Sequence, residues 1–361
     1  MIELDVELVR GILVVGLIIS ALTYHFFRVN SGGVVTAPFL AIMVLSADWT
    51  NLVGWLVLST LGYLTIRYLS ERWPLPRVWL FFAGIFVPMS IHILGLNLLQ
   101  LPGFDTYSTY LAAGLYITNG LTAYDAARQG LIRTYISAAG VTLVTVIAGL
   151  FMYWLMQINS IQTEPLPAFV TQDPLLAFVI VSAAIVARLA FGLGTAGIIG
   201  GAYLLQIATP SSLLVVLIFT LVGAFIYKRV ANFMGLSPKQ AFYSLLAVGS
   251  LVAWFGLFWA SVLGIPGTEQ VESFALEPLL VVGLLIGETA RFGAIRTVAG
   301  AALVGIAGWG ITSLVSFGVI STLAAYFITV VLLTAGIMFA FKEVKRGWDA
   351  AVAGSSRWAS H

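Results

Sequence analysis

The chain contains no cysteine. Disulfides, thiolate metal sites and a cysteine nucleophile are therefore excluded. Charge is also scarce: 9% of the 361 residues are Asp, Glu, Lys or Arg, against about 25% in a soluble domain. A chain with so little polar surface cannot coat a globule in water. The three histidines, His25, His92 and His361, are scattered, and no two have ligand spacing. No Walker loop, HExxH or GxSxG motif occurs, and no carboxylate cluster lies beside a histidine, so the sequence offers no catalytic constellation and no cofactor or metal site of its own. "GLGTAGIIGG" is rich in glycine but sits in an apolar run without the strand that dinucleotide binding needs. The basic residues are spread over many short loops, which argues against a nucleic-acid surface.

What is present is apolar: 60% of the residues are hydrophobic. Long apolar segments occupy roughly 8–27, 50–66, 77–97, 132–156, 173–192, 211–227, 240–264, 295–316 and 318–341. Each is near the ~20 residues that cross a bilayer as a helix. Four shorter stretches, at 33–47, 107–122, 194–209 and 274–287, contain glycine or proline. The N-terminal run has an acidic start and too long an apolar stretch for a signal peptide, and is read as the first span. Basic residues of short loops stay cytoplasmic. If the short stretches cross and the N-terminus lies outside, 16 of the 17 Lys and Arg residues fall on the cytoplasmic side, leaving only Arg10 outside. The outer loops then carry Asp48, Asp105, Glu164, Asp173, Glu269, Glu272 and Glu277. This predicts an all-α, polytopic protein of the inner cell membrane, with about thirteen spans, the N-terminus outside and the C-terminus cytoplasmic.

The chain also repeats itself. "DAARQGLIRT" (Asp125–Thr134) aligns without a gap with "ETARFGAIRT" (Glu288–Thr297), six of the ten positions being identical. "GGVVTAPFL" (Gly32–Leu40) resembles "AGIIGGAYL" (Ala196–Leu204) at almost the same offset. The expected organisation is a six-segment membrane repeat over 1–160, a polar linker at 161–172, a second repeat over 173–316, and an extra helix with a basic tail over 317–361. Six spans per copy is an even number, so the copies stand parallel. The long–short–long rhythm of each triplet resembles the inverted repeats of transporters, whose short interrupted segments line a binding site.

The repeated motif supplies the candidate site: Asp125, Arg128, Arg133 and Thr134 in the first copy, Glu288, Arg291, Arg296 and Thr297 in the second. A helix N-terminus favours an anion, and a guanidinium beside it pairs with carboxylate or phosphate. Asp125 and Glu288, three residues before the first Arg, are placed to pair with it on one helical face. Two readings stay open: Arg at a cytoplasmic helix end is what topology alone demands, whereas the repeated order of residues favours docking of an anion or partner. Gly33, Pro38, Gly114, Gly197 and Gly201 in the short segments either line a permeation path or serve close helix packing. His92, in the fourth span, is a candidate by its depth, yet the second copy has no histidine at the matching place.

"SGGVVTAPFLAIMVL", then "LVLSTLGYLTIRYLSERW", and later "AAGLYITNGLTAYDAARQGLIRT" give an order of features that resembles the PgsC/CapC family, the membrane subunit of poly-γ-glutamate capsule synthesis. The likeness covers most of the first copy and, more faintly, the second. This chain differs as a tandem fusion with an added helix. The resemblance implies a membrane subunit without catalytic residues that anchors an ATP-dependent amide ligase alongside small membrane subunits, and assists passage of an acidic polymer. ATP and Mg would belong to that ligase. The rival expectations are a stand-alone secondary transporter of a small anion and a non-catalytic membrane scaffold.

Overall fold

A computed structural model of the chain describes residues 4–73, 75–99, 112–158, 174–193, 209–234, 238–272 and 277–358. Among these residues the structure is entirely helical and has no strand. Helices α1 (Val6–Phe27), α2 (Thr36–Leu45), α3 (Trp49–Arg72), α4 (Arg77–Leu99), α5 (Ala112–Gln129) and α6 (Leu131–Ile158) build the first half. Helices α7 (Pro174–Phe191), α8 (Pro210–Met234), α9 (Pro238–Val262), the single turn α10 (Thr268–Glu272), α11 (Glu277–Phe292) and α12 (Ala294–Ser316) build the second. The chain ends on α13 (Thr322–Trp358). Among the described residues, seven helices are long and apolar enough to cross a membrane, namely α1, α3, α6, α8, α9, α12 and α13, while shorter apolar stretches lie in α2, α4, α7 and α11. The chain is thus a helical membrane protein.

Local chemistry sets the helix ends. The Asp5 carboxylate accepts the Leu8 N–H at 2.6 Å, capping α1, and Asp48 accepts the Asn51 N–H at 3.1 Å, capping α3. Glycine makes the two sharp elbows. Gly130, at φ 97°, separates α5 from α6, and Gly293, at φ 82°, separates α11 from α12. Both values lie where side chains are strained and glycine is not.

The short stretches differ in length from their sequence reading. α2 has ten residues, about 15 Å of rise, half of a ~30 Å hydrocarbon core. The non-helical residues before it, 30–35, are buried inside the protein, as irregular backbone at membrane depth must be. In contrast, α5 does not stop at residue 122 but runs through the polar motif to Gln129, so that the handover to α6 is one glycine wide. α11 likewise continues to Phe292. The third short stretch, apart from Thr209, and the linker at 161–172 lie outside the described residues.

Within the first half, α1 packs on α6 and α2, α3 on α4 and α5, α4 on α5, and α5 on α6. Within the second, α7 packs on α12, α8 on α9 and α11, α9 on α11, and α11 on α12. Small residues permit the tightest of these approaches. A Cβ on Gly249 of α9 would lie 2.5 Å from the Gly283 Cα of α11, and one on Gly62 of α3 would lie 2.7 Å from the Gly84 carbonyl oxygen of α4. The halves meet chiefly where α1 packs on α9 and α4 on α7, with a smaller contact of α5 on α7, and α13 lies along α7. Ile132, Ile136, Leu143 and Ile147 form an exposed apolar stripe on α6, the surface a lipid-facing helix presents.

Candidate functional site

A group of polar side chains gathers on the buried Asn30, just past the end of α1. α1 stops because Arg28 turns left-handed at φ 55°, its N–H bonding the Tyr24 carbonyl at 3.1 Å. The chain then enters the protein beside the α5–α6 elbow. There the Asn30 amide donates to Asp125 Oδ1 at 3.0 Å. Gln129 clasps the Asn30 backbone from both sides, accepting its N–H at 3.1 Å and donating Nε2 to its carbonyl at 2.6 Å. Ser137 Oγ donates to the same carbonyl at 2.7 Å. From the other half, the hydroxyl of Tyr243 on α9 donates to Asn30 Oδ1 at 3.3 Å. Beside it the rings of Tyr24 and Tyr243 stack with centroids 5.0 Å apart, and Gln240 Nε2 lies 2.9 Å from Nδ1 of His25. One loop, one elbow and one helix of the opposite half are thereby joined at a single asparagine.

The residues of the repeated motif divide between this buried cluster and the surface. Asp125 is 5% exposed and turned toward Asn30, whereas Arg128 is exposed, its guanidinium 5.8 Å from the Tyr124 ring centroid. The expected Asp125–Arg128 pair does not form. Arg133 is exposed as well. Thr134 is fully buried, and its hydroxyl donates to the Gly130 carbonyl at 2.9 Å, staying within its own elbow. Thr297 repeats this with the Gly293 carbonyl at 3.1 Å. The threonine and glycine of the motif are therefore elbow residues in both halves, and neither threonine hydroxyl is turned outward to an anion. Glu288 is half-buried and Arg296 exposed, while the side chain of Arg291 lies outside the described residues.

The two elbows differ at the residue before the glycine. Where the first has Gln129, the second has Phe292, and Arg188 of α7 stands 3.8 Å from the centroid of that ring. The amide clasp belongs to the first half.

Charge at this end of the bundle is one-sided. Arg28, Arg128 and Arg133 are all exposed around the Asn30 cluster, and among the described residues none has a carboxylate within ion-pair distance. With Asp125 covered, the elbow presents guanidinium groups outward, a surface suited to carboxylates or phosphates.

Of the short-segment residues, Gly33, at φ 94°, packs on Leu121, where a Cβ would come within 2.8 Å, and Pro38 packs against Gly16 of α1. Gly114 lies within α5; Gly197 and Gly201 lie outside the described residues. No group of three His, Asp or Glu side chains that could hold a metal occurs among the described residues. Sequence reasoning missed Asn30, Gln129, Ser137 and Tyr243. The available signal was "NSGG", a polar pair before two glycines between apolar runs.

Residues 15–135 match the family described as capsule biosynthesis CapC. The match covers about a third of the chain, from within α1 to the first turn of α6, and includes Asn30, Asp125, Gln129 and Thr134. No curated protein and no solved structure matches.

Proposed function

We propose, from the premise that residues 15–135 are a capsule-biosynthesis segment of the CapC type, that the protein is the membrane subunit of a complex that makes and exports an anionic polymer of the poly-γ-glutamate kind. It sits in the inner cell membrane with the Asn30 end facing the cytoplasm. It anchors an ATP-dependent amide ligase, which brings the nucleotide, Mg and the bond-forming chemistry, together with small membrane subunits. The observation that carries this reading is the elbow: its one acid is turned inward to Asn30 while Arg28, Arg128 and Arg133 stand exposed without a carboxylate partner. That surface receives either the acidic chain or an acidic face of the ligase.

The tandem arrangement belongs to the same proposal. The two motifs fold into the same glycine elbow with the same threonine bond, and among the described residues the pairings α1–α6, α3–α4, α3–α5, α4–α5 and α5–α6 recur as α7–α12, α8–α9, α8–α11, α9–α11 and α11–α12. These similarities support a duplication whose copies stand parallel.

Purification from cells that make the polymer is the test, with a stoichiometric soluble ligase expected to accompany the protein. Replacing Arg128 and Arg291 together with Gln is expected to lower polymer output more than either change alone. Normal output from the double variant would leave those residues a topological role only. Ion-coupled uptake of a small anion by the lone protein in liposomes would replace the complex with a transporter.

A further inference from the structure

We infer that each half carries a self-complementary surface made of its first and fourth helices, and that the partner this surface takes is a second unit of the same kind. The chain is accordingly a closed two-fold pair of units, held by packing rather than by the segment that joins them. This rests on the tandem reading above and goes beyond it, since a duplication does not say how its copies meet.

Helix ends fix the correspondence between the halves. α1 ends at Phe27 and is followed by the left-handed Arg28 at φ 55°, while α7 ends at Phe191 and is followed by the left-handed Gly192 at φ 62°. α4 begins at Arg77 and α9 at Pro238. One contact inside each half checks the second match. Gly120 and Gly283 stand at equal distances before the two elbows. A Cβ on Gly120 would strike the Ile85 side chain of α4, and one on Gly283 would strike Leu246 of α9. Counted from the helix starts, Ile85 and Leu246 hold the same place.

On this correspondence α1 on α9 and α7 on α4 are one pairing, the first helix of one unit against the fourth of the other, made in both directions. The register agrees as well. α1 and α9 run antiparallel, with Glu7 against Trp254 at one end and Tyr24 against Tyr243 at the other. In the second pairing the rings of Phe86 on α4 and Phe178 on α7 meet with centroids 5.5 Å apart. Their equivalents in the first pairing are Ala247 and Val14. Both are buried members of one apolar cluster, and along each helix they lie between those two end contacts. The chemistry has diverged while the register has not: Phe82 stands where α9 has Tyr243, and Trp79 where it has Gln240.

A contact in which each unit offers the other the same two helices is isologous, and it closes on two units. With parallel copies its axis runs along the membrane normal. A first helix set on a fourth in one direction only would leave the remaining pair of surfaces open to further chains. Here both are covered. No residue from Val6 to Ser20 of α1 is exposed, and Phe82, Ile85 and Val181 are buried together in the second pairing. In lipid, close packing of this kind holds helices together, and it needs no tether.

A protease site placed at 161–172 in the full chain, and cut after the protein has folded in membranes, is the test. The two fragments are expected to co-purify in equal amounts on a C-terminal tag and to elute at the volume of the uncut protein. Loss of the first fragment would overturn the inference. The double variant Ala247→Trp with Phe178→Ala strikes both uses of the contact, and Leu143→Trp, on the exposed stripe of α6, is its control. After cutting, the double variant is expected to shed most of its first fragment on washing and the control none. Equal retention by the two would overturn the inference, and the cut parent decides alone if the double variant does not fold. Ligase that accompanies the uncut chain while the cut halves separate removes this inference and leaves the proposed function. Cut halves that stay together without any ligase do the reverse.

Discussion

At the scale of single residues, Asn30 does what no other polar side chain described here does: it satisfies a buried carboxylate of its own half and a phenol of the other. Asn30→Ala takes one hydrogen bond from the buried Asp125, and hydrogen bonds to charged groups are worth about 1.5–3 kcal/mol. A fall in melting temperature in detergent is expected, with a smaller fall for Asp125→Asn, whose amide can still accept from Asn30. Arg28 allows charge to be separated from fold. Its φ of 55° strains any side chain, so Arg28→Gly relieves about 1 kcal/mol of backbone strain while removing the cation. Unchanged or raised thermal stability with weakened ligase co-purification is expected; equal loss of both would return Arg28 to a structural role. The motif's arginines and its acid were legible in the sequence because order repeated. The partner of Asp125 was not, because it lies 95 residues away and no local spacing announces it.

At the scale of helices, the bundle depends on close approaches of small residues, since lipid tails give helices no hydrophobic reason to associate. Gly249→Ala places a methyl 2.5 Å from the Gly283 Cα, a backbone atom that cannot swing aside. A loss on the order of 1–3 kcal/mol is expected from the forced separation of α9 and α11, measurable as a lowered unfolding midpoint. Gly140→Ala and Gly310→Ala meet nothing within 4 Å and serve as controls. They are expected to be neutral or to gain about 0.5–1 kcal/mol from helix propensity. The long spans were readable from hydropathy alone. The limits of the short ones were not. α5 carries the polar "AYDAARQ" to its last residue with Asp125 covered by the Asn30 loop and Arg128 left exposed, whereas hydropathy counts the whole stretch as loop.

At the scale of the whole molecule, α13 follows the two halves and packs along α7. Its first part is a membrane span, Thr322–Lys342, and the helix continues to Trp358 through the basic stretch. If the tail is the dock for the ligase, deleting the residues after Lys342 abolishes its recruitment to membranes. Retained recruitment assigns docking to the elbow and its arginines, the outcome the one-sided charge there favours. The buried loop before α2 bears on how such a molecule is assembled. Ten apolar residues are too few for the translocon to release α2 as an independent span, and the backbone ahead of it exchanges hydrogen bonds with Gln129, Ser137 and Thr122 of α5 and α6. That segment must therefore wait at the membrane surface until nearly a hundred further residues have been synthesised, and nascent chains halted before Ser137 are expected to leave it open to protease.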